Sequence, residues 1–472
     1  MSLHESCGIF GIYDPDEDVA RLAFFALFAL QHRGQESSGI ATTDGDSTWV
    51  HTGMGLVSHV FDEASLSRLT GNIAIGHNRY STMGSSHLAN AQPIVVEGAP
   101  GKIAVAHNGN VINADVLRQE LTEKRCRFST TTDSEVIAYL LIASPGRTWE
   151  ERISHAMHRL QGAYSLVILT HDSLIGVRDP LGVRPLCLGR LDSGGWVLAS
   201  ESCALDHIGA RFVREVAPGE IVTIDSSGRN TSFQGVEPER NAICVFEYIY
   251  FARPDTTIGG RPLYWAREGM GRGLAQEYPV AADVVIGVPD SATIAAISYA
   301  RESGTPFMEG LLKNRYVGRT FIEPDQRIRE LGVAIKFNPL REILEGKRVV
   351  VVDDSIVRGT TTPRIIALLR KAGAKEIHMR VCAPPICYPC FFGVDMATRW
   401  ELLAARKSVP EIQEFIGADS LGYLSLEGLI QAVGLPGESL CLACLTGDYP
   451  IPVQLEMDKL ALEALPPEGL GS

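Results

Sequence analysis

The first half of the chain alternates short apolar runs with polar turns. "GIFGIY", "SSGIATTDG", "STWVHTGMG", "NIAIGHNRYST" and "KIAVAHNGN" read as strands closed by glycine or polar residues. "NADVLRQELTEK" and "DSEVIAYLLIAS" carry helical spacing behind Asn113 and Asp133, which stand where caps are expected. "GAYSLVILTHDSLIGVRD" reads as a hairpin. Sheets and helices in blocks predict a layered α+β domain. Past "QGVEPERNAIC" the pattern changes. "DVVIGVP", "KRVVVVDDS" and "EIHMRVCAPP" are nearly continuous apolar strands with helix-like neighbours. Such runs belong to a parallel sheet covered on both faces, so an α/β domain is expected. The boundary falls near residues 232–242, and "MDKLALEALPPEGLGS" reads as a tail that can fray. No internal repeat or low-complexity tract interrupts this plan.

Length supports it, because 472 residues exceed one ordinary core and predict two or three domains. The longest apolar stretch, Leu22 to Leu30, is too short to span a bilayer, so no membrane partner is expected. "MSLHES" lacks the basic and apolar regions of a secretory signal, and a cytoplasmic protein is expected. A net charge of −13 argues against nucleic acid as partner. Between Lys313 and Arg348, however, nine basic residues face five acidic ones. That excess suits a small anionic substrate, although a solvated face gives the same run.

Two stretches carry candidate chemistry. Cys7 stands at the mouth of the first strand. It is either a small buried hydrophobe or, if Met1–Ser6 is removed, a thiol beside its own free α-amine. In "VVVVDDSIVRGTTTPRIIALL", Val349–Leu369, a buried strand leads to a helix with Pro363 in its first turn. Between them, Ser355, Ile356, Val357, Arg358, Gly359, Thr360 and Thr361 offer closely spaced N–H groups and hydroxyls at a helix N-terminus. That arrangement holds a phosphate, and Gly359 admits close backbone approach. Asp353 and Asp354, at the carboxyl end of the strand, are placed to bind ribose hydroxyls and Mg²⁺. Ten cysteines in such a chain do not suggest a disulfide framework. "CYPC" (Cys387–Cys390) and "CLAC" (Cys441–Cys444) have the spacing of paired ligands, and spacing alone would combine them in one zinc site.

The loop resembles that of type I phosphoribosyltransferases, which bind 5-phosphoribosyl-1-pyrophosphate (PRPP). Upstream, "CGIFGI", "QHRGQESSGI", "GHNRYST", "AHNGN" and "TTDSE" in this order resemble glutamine amidotransferases with an N-terminal nucleophile. Together they resemble the glutamine PRPP amidotransferase family from about Cys7 to Pro450. The resemblance implies a layered αββα glutaminase domain followed by a type I phosphoribosyltransferase domain. Its parts would be a propeptide (1–6), the glutaminase (7–235), the transferase with an iron–sulfur site (236–455) and a tail (456–472).

It further implies the residue roles. Cys7 is the nucleophile, with Asn108 and Gly109 as oxyanion hole. Arg79 and Asp133 hold glutamine, with Arg33 and Gly34 close by. Ser355–Thr361 hold PRPP with Asp353 and Asp354; Ser291 joins the two aspartates near Mg²⁺. "LLKNRYVGRTF" matches a loop that closes over PRPP through Lys313, Arg315 and Arg319. One branch of the family carries a [4Fe–4S] cluster, whose ligands map to Cys244, Cys390, Cys441 and Cys444, leaving Cys387 as a bystander. Cys126, Cys187, Cys203 and Cys382 read as core or incidental. Glutamine, PRPP and inhibitory purine nucleotides are the implied partners, in a homotetramer or homodimer. A sensor without catalysis and a glutaminase serving a sugar phosphate are the competing functions.

Overall fold

The computed structural model describes residues 7–80, 86–238, 240–314, 337–396 and 398–453. The expected propeptide, Arg315, Arg319 and the tail 456–472 lie outside the described residues.

Thirteen strands build the first half: β1 (Gly8–Tyr13), β2 (Ser37–Thr43), β3 (Thr48–Met54), β4 (Ile73–Arg79), β5 (Ile94–Gly98), β6 (Gly101–Val111), β7 (Gly162–Leu169), β8 (Ser173–Arg178), β9 (Cys187–Arg190), β10 (Trp196–Ala199), β11 (Arg211–Glu215), β12 (Glu220–Asp225) and β13 (Asn230–Gln234). They form two antiparallel sheets, ordered β11-β9-β10-β1-β4-β2-β3 and β13-β12-β8-β7-β6-β5. The period-2 alternation assigns the faces. Ile9 and Tyr13 of β1 pack with Ala104, Ala106, Val167 and Leu198 in the layer between the sheets. Phe10 and Ile12 turn the other way, onto helix Val19–Ala29. On the far side, Ile103 and Val105 pack against helices Ala114–Glu123 and Asp133–Ala143. The result is the expected αββα stack.

Asn113 stands at its helix N-cap but makes no capping bond; its amide instead reaches the Arg159 carbonyl and the Gln161 N–H. Thr132, not Asp133, is the N-cap of the next helix, which leaves the Asp133 carboxylate free to accept from Val111 N–H.

The second half contains the parallel sheet, with strands Val284–Gly287, Arg348–Asp353, Glu376–Val381 and Ser420–Tyr423 side by side. The valine run buries both faces. Val350 and Val352 meet Met270, Tyr299 and Leu429 on one side; Val349 and Val351 meet Ile365, Leu369 and Ile412 on the other. "SLGY", the fourth strand, is too short to announce itself by pattern. The halves meet where the N–H groups of Ala242 and Cys244 donate to the Leu181 and Val183 carbonyls; Ile243–Cys244 also pairs in parallel with Leu440–Cys441, just before the helical turn Glu247–Phe251.

Leu198 is fully buried between the two sheets. Leu198→Ala is expected to cost about 2–5 kcal/mol in chemical denaturation. Val95→Ala, on the exposed side of β5, should stay within about 0.5 kcal/mol.

Candidate functional site

The thiol of Cys7 opens onto a small cavity that Arg79, Gly109 and Asp133 also line. Three elements deliver them: β1 brings Cys7, β4 ends at Arg79, and β6 carries Gly109 beside the first turn of helix Asp133–Ala143. Cys7 Sγ donates to the Tyr80 carbonyl at 3.3 Å and accepts from its N–H at 3.5 Å. Burial pushes the thiol up to about 11, against smaller opposing effects from the Tyr80 contact and the Arg79 charge. At neutral pH the sulfur is therefore protonated, and attack on a carbonyl needs a base beside it.

Arg79 is buried and paired with Glu36. Asp133 faces His107, whose Nδ1 lies 3.8 Å from its carboxylate. Burial lowers the affinity of His107 for a proton, so that ring is neutral at pH 7. Gly109 has φ +148°, and a Cβ there would lie 2.0 Å from the Ala163 carbonyl oxygen, so only glycine fits. Asn108 shares the face of Ala104 and Ala106, toward the sheet that carries Cys7. Its amide is buried, and neither its nitrogen nor its oxygen has a hydrogen-bond partner. A buried amide of this kind costs stability unless a ligand completes it, as an oxyanion would.

Arg33, expected close to glutamine, lies next to Cys7 with its side chain turned away from the cavity. Its guanidinium is enclosed behind Cys7 rather than in the cavity. Nε donates to the Cys7 carbonyl at 3.0 Å, and Nη1 reaches Glu201 at 2.5 Å. Nη1 and Nη2 then grip Glu247 at 3.0 and 2.9 Å. Proximity in "QHRGQE" to cavity residues cannot tell where a long side chain points. Gly34 packs on the β4 end, where a Cβ would lie 2.6 Å from the Asn78 oxygen. Gln92, His107 and Thr132 also line the cavity. The last two sit inside recognised strings; Gln92 carried no signal.

In the parallel-sheet domain, Asp353 and Asp354 are buried at the carboxyl end of their strand. Burial, then the neighbouring Asp354 charge, pushes Asp353 well above the usual carboxylate range. Burial likewise raises Asp354, against hydrogen bonds from Ser291 and Ser355. Oxygen donors of this kind, at most two of them carboxylates, suit a magnesium that completes its shell with substrate phosphate and water. Ile356 and Val357 pin the following loop by burying their side chains, leaving their backbone for a ligand. Gly359 has φ +68°, and a Cβ would meet Leu403 at 2.6 Å. Thr360 and Thr361 lead into helix Thr362–Lys371. Arg358 turns aside to Glu401 at 2.8 Å, and Lys313 pairs with Asp290.

A second cavity is lined by Cys244, Cys390, Cys441 and Cys444 with Val183, Phe246, Phe392 and Val394. Cys387 is not among its lining residues; its thiol points to the Ala404 carbonyl. Burial pushes Cys244 up to about 12, partly offset by the Arg184 charge, and also raises Cys441 and Cys444. Among the described residues no three His, Cys, Asp or Glu are gathered closely enough for one metal ion. The cavity gathers Cys244 in place of the Cys387 that spacing alone would pair with the other three. Four thiols in an apolar-lined cavity are the kind of donor set that iron–sulfur groups take. Cys187, Cys203 and Cys382 are buried, and Cys126 is half-buried.

Comparison with known proteins matches this division of the chain. A family profile described as a glutamine amidotransferase domain matches residues 77–207. One described as a phosphoribosyl transferase domain matches residues 270–388. The amidophosphoribosyltransferase of Synechococcus elongatus is 51% identical over 468 residues, covering 98% of this chain and 95% of its own. That of Archaeoglobus fulgidus is 53% identical, covering 95% and 98%. The glutamine PRPP amidotransferase from B. subtilis, solved in complex with ADP and GMP, superposes with a TM-score of 0.90 at 45% identity, covering 97% of this chain and 100% of that one. Identity at this level extends over nearly the whole length of the chain, and the chain belongs to the amidophosphoribosyltransferase family.

Proposed function

We propose that the two sites perform successive halves of one reaction: glutamine, PRPP and water give 5-phosphoribosylamine, glutamate and pyrophosphate. The observation that carries this is the pairing, in one chain, of the Cys7 cavity with the Asp353–Thr361 loop. Family membership supports the overall activity; the individual roles below are our assignment.

Glutamine enters with its α-carboxylate and α-amino group toward Arg79 and Asp133. Removal of Met1–Ser6 exposes the Cys7 amine, with a pKa of about 7.7–8.0, as the base that takes the thiol proton. While Ser6 is attached, that nitrogen is an amide without basicity. The thiolate attacks the side-chain carbonyl, and Asn108 Nδ2 with the Gly109 N–H receives the oxyanion. The amine then protonates the leaving nitrogen, and water cleaves the thioester to glutamate. In the second domain, loop amides and hydroxyls clamp the phosphates while Asp353 and Asp354 orient the ribose. Ammonia replaces pyrophosphate at C1. Positioning and charge stabilisation dominate such a displacement. Bound magnesium would neutralise pyrophosphate charge, with Asp353, Asp354 and Ser291 around it. Lys313, with Arg315 two residues on in sequence, supplies positive charge that draws PRPP in.

Cys244, Cys390, Cys441 and Cys444 would hold a [4Fe–4S] cluster. Its role is structural, since the reaction has no redox step, and it ties "CLAC" at the domain's end to the entry strand at Cys244. Purine nucleotides are the proposed feedback inhibitors; the ADP and GMP in the B. subtilis structure support this.

Three outcomes test these assignments. PRPP should stimulate glutamate release, and Cys7→Ala should abolish it while ammonia-dependent phosphoribosylamine formation persists. If Cys7→Ala hydrolyses glutamine normally, the nucleophile is elsewhere. Blocking removal of Met1–Ser6 should leave protein without glutaminase activity, read by mass spectrometry alongside the assay; full activity in molecules retaining the leader would exclude an amine base. Anaerobically purified protein should contain about four irons per chain with equivalent labile sulfide. Cys244→Ser should lose them and Cys387→Ser keep them, whereas iron loss from Cys387→Ser would refute the ligand set.

A further inference from the structure

The carboxylate of Glu247 is fully buried where the two domains meet, and nothing in the reaction scheme uses it. It belongs to the turn Glu247–Phe251 of the second domain, yet both oxygens point back at the first. We propose that Glu247 is a positioning residue for the glutamine half-reaction: it fixes Arg33, which holds the backbone of Cys7, and through Arg184 it braces the segment behind Gly109. The inference rests on the glutaminase reading above and adds a residue that reading does not contain.

Consider first what holds the nucleophile. Once Cys7 is the amino terminus, no preceding residue restrains it. Among the described residues its ties are the peptide to Gly8, the sulfur contacts to Tyr80, and the bond from Arg33 Nε to its carbonyl at 3.0 Å. A guanidinium is planar and rigid, so its two terminal nitrogens set the direction of Nε. Those nitrogens sit on Glu247 in a bidentate fork, at 3.0 and 2.9 Å. Shifting the carboxylate therefore swings the bond that restrains Cys7.

The second contact runs to the other side of the same cavity. Arg184 Nη1 donates to Glu247 Oε1 at 3.2 Å, while its Nε and Nη2 donate to the Phe392 carbonyl at 3.0 and 2.7 Å. That segment leans on the oxyanion strand. Asn110 Nδ2 donates to the Phe391 carbonyl at 2.9 Å. At Gly393 a Cβ would lie 3.0 Å from the Gly109 carbonyl carbon, leaving no slack. One carboxylate thus restrains the sulfur's backbone and the glycine that receives the oxyanion. Neither contact involves Arg79 or Asp133.

The test compares Glu247→Asp and Glu247→Gln with the unsubstituted full-length enzyme. Aspartate keeps the charge but is one methylene too short to meet both arginines; glutamine keeps the shape but offers one acceptor oxygen. Both should lower kcat for PRPP-dependent glutamine hydrolysis by about 10- to 100-fold, the scale of a small misplacement of reacting groups. KM for glutamine and the ammonia-dependent rate should each stay within about twofold, because substrate binding and the second site are untouched. A raised KM with normal kcat, a parallel fall of the ammonia-dependent rate, or unchanged kinetics would each overturn the proposal. So would loss of folding in both variants, which would make Glu247 a structural ion-pair residue only. If the unsubstituted chain itself releases no glutamate, the glutaminase reading falls; if it does and the variants match it, only the role of Glu247 falls.

Discussion

Two guanidinium groups and two carboxylates, all without solvent exposure, meet in the middle of this molecule: Arg33, Arg184, Glu201 and Glu247. Burying any one alone would be strongly unfavourable, and removing one partner from such a set costs about 3–5 kcal/mol. Three of the four belong to the first domain, and Glu247 comes from the second. Charge balance therefore closes only when the second domain is docked. Glu201 adds to the same constraint, accepting from Arg253 N–H at 2.9 Å and Thr256 Oγ1 at 2.7 Å across the junction. Its carboxyl stays ionised despite burial, because His32 and Arg33 face it. Apolar packing tolerates sliding; a closed set of ion pairs built around the bidentate Arg33–Glu247 fork does not. Electrostatics sets the angle at which the domains meet, and the Cys7 carbonyl is one of the points it fixes.

Arg184 also faces the cysteine cavity, where its charge acts on Cys244. Cys244, Cys390, Cys441 and Cys444 line that cavity together with apolar side chains. The Phe391–Gly393 stretch just beyond Cys390 has two neighbours: the cysteine cavity on one side and the strand that carries Gly109 on the other.

Local pattern carried most of the architecture. The apolar runs "GIFGIY" and "VVVVD" each predict a strand, and both strands are covered on both faces. "SLGY" escaped because four residues carry too little period. Site residues were legible where short strings are themselves the chemistry, as in the Asp353–Thr361 loop. They were not legible where function depends on the direction of a side chain. Arg33 stands in a recognised string yet points away from the cavity, and Asp133 is the first residue inside its helix rather than its cap. Arg184 and Glu247 lie 63 residues apart and look, in sequence, like any surface charges. Only tertiary packing excludes water from them.

Burial at Cys7 has opposite effects on the two halves of the proposed reaction. It pushes the thiol up to about 11, which suppresses the thiolate that must attack glutamine. A dry site also disfavours ammonium, so the nitrogen released there leaves as the neutral nucleophile that ribose C1 requires. A solvent-exposed cysteine would ionise more easily but would lose its product to protonation and dilution. The arrangement is workable if a base of moderate pKa sits beside the sulfur without adding charge of its own. An unprotonated terminal amine meets that condition, since it is neutral before it accepts the thiol proton and becomes neutral again on passing that proton to the leaving nitrogen. A lysine, with its higher pKa, or a carboxylate, with its permanent negative charge, would not.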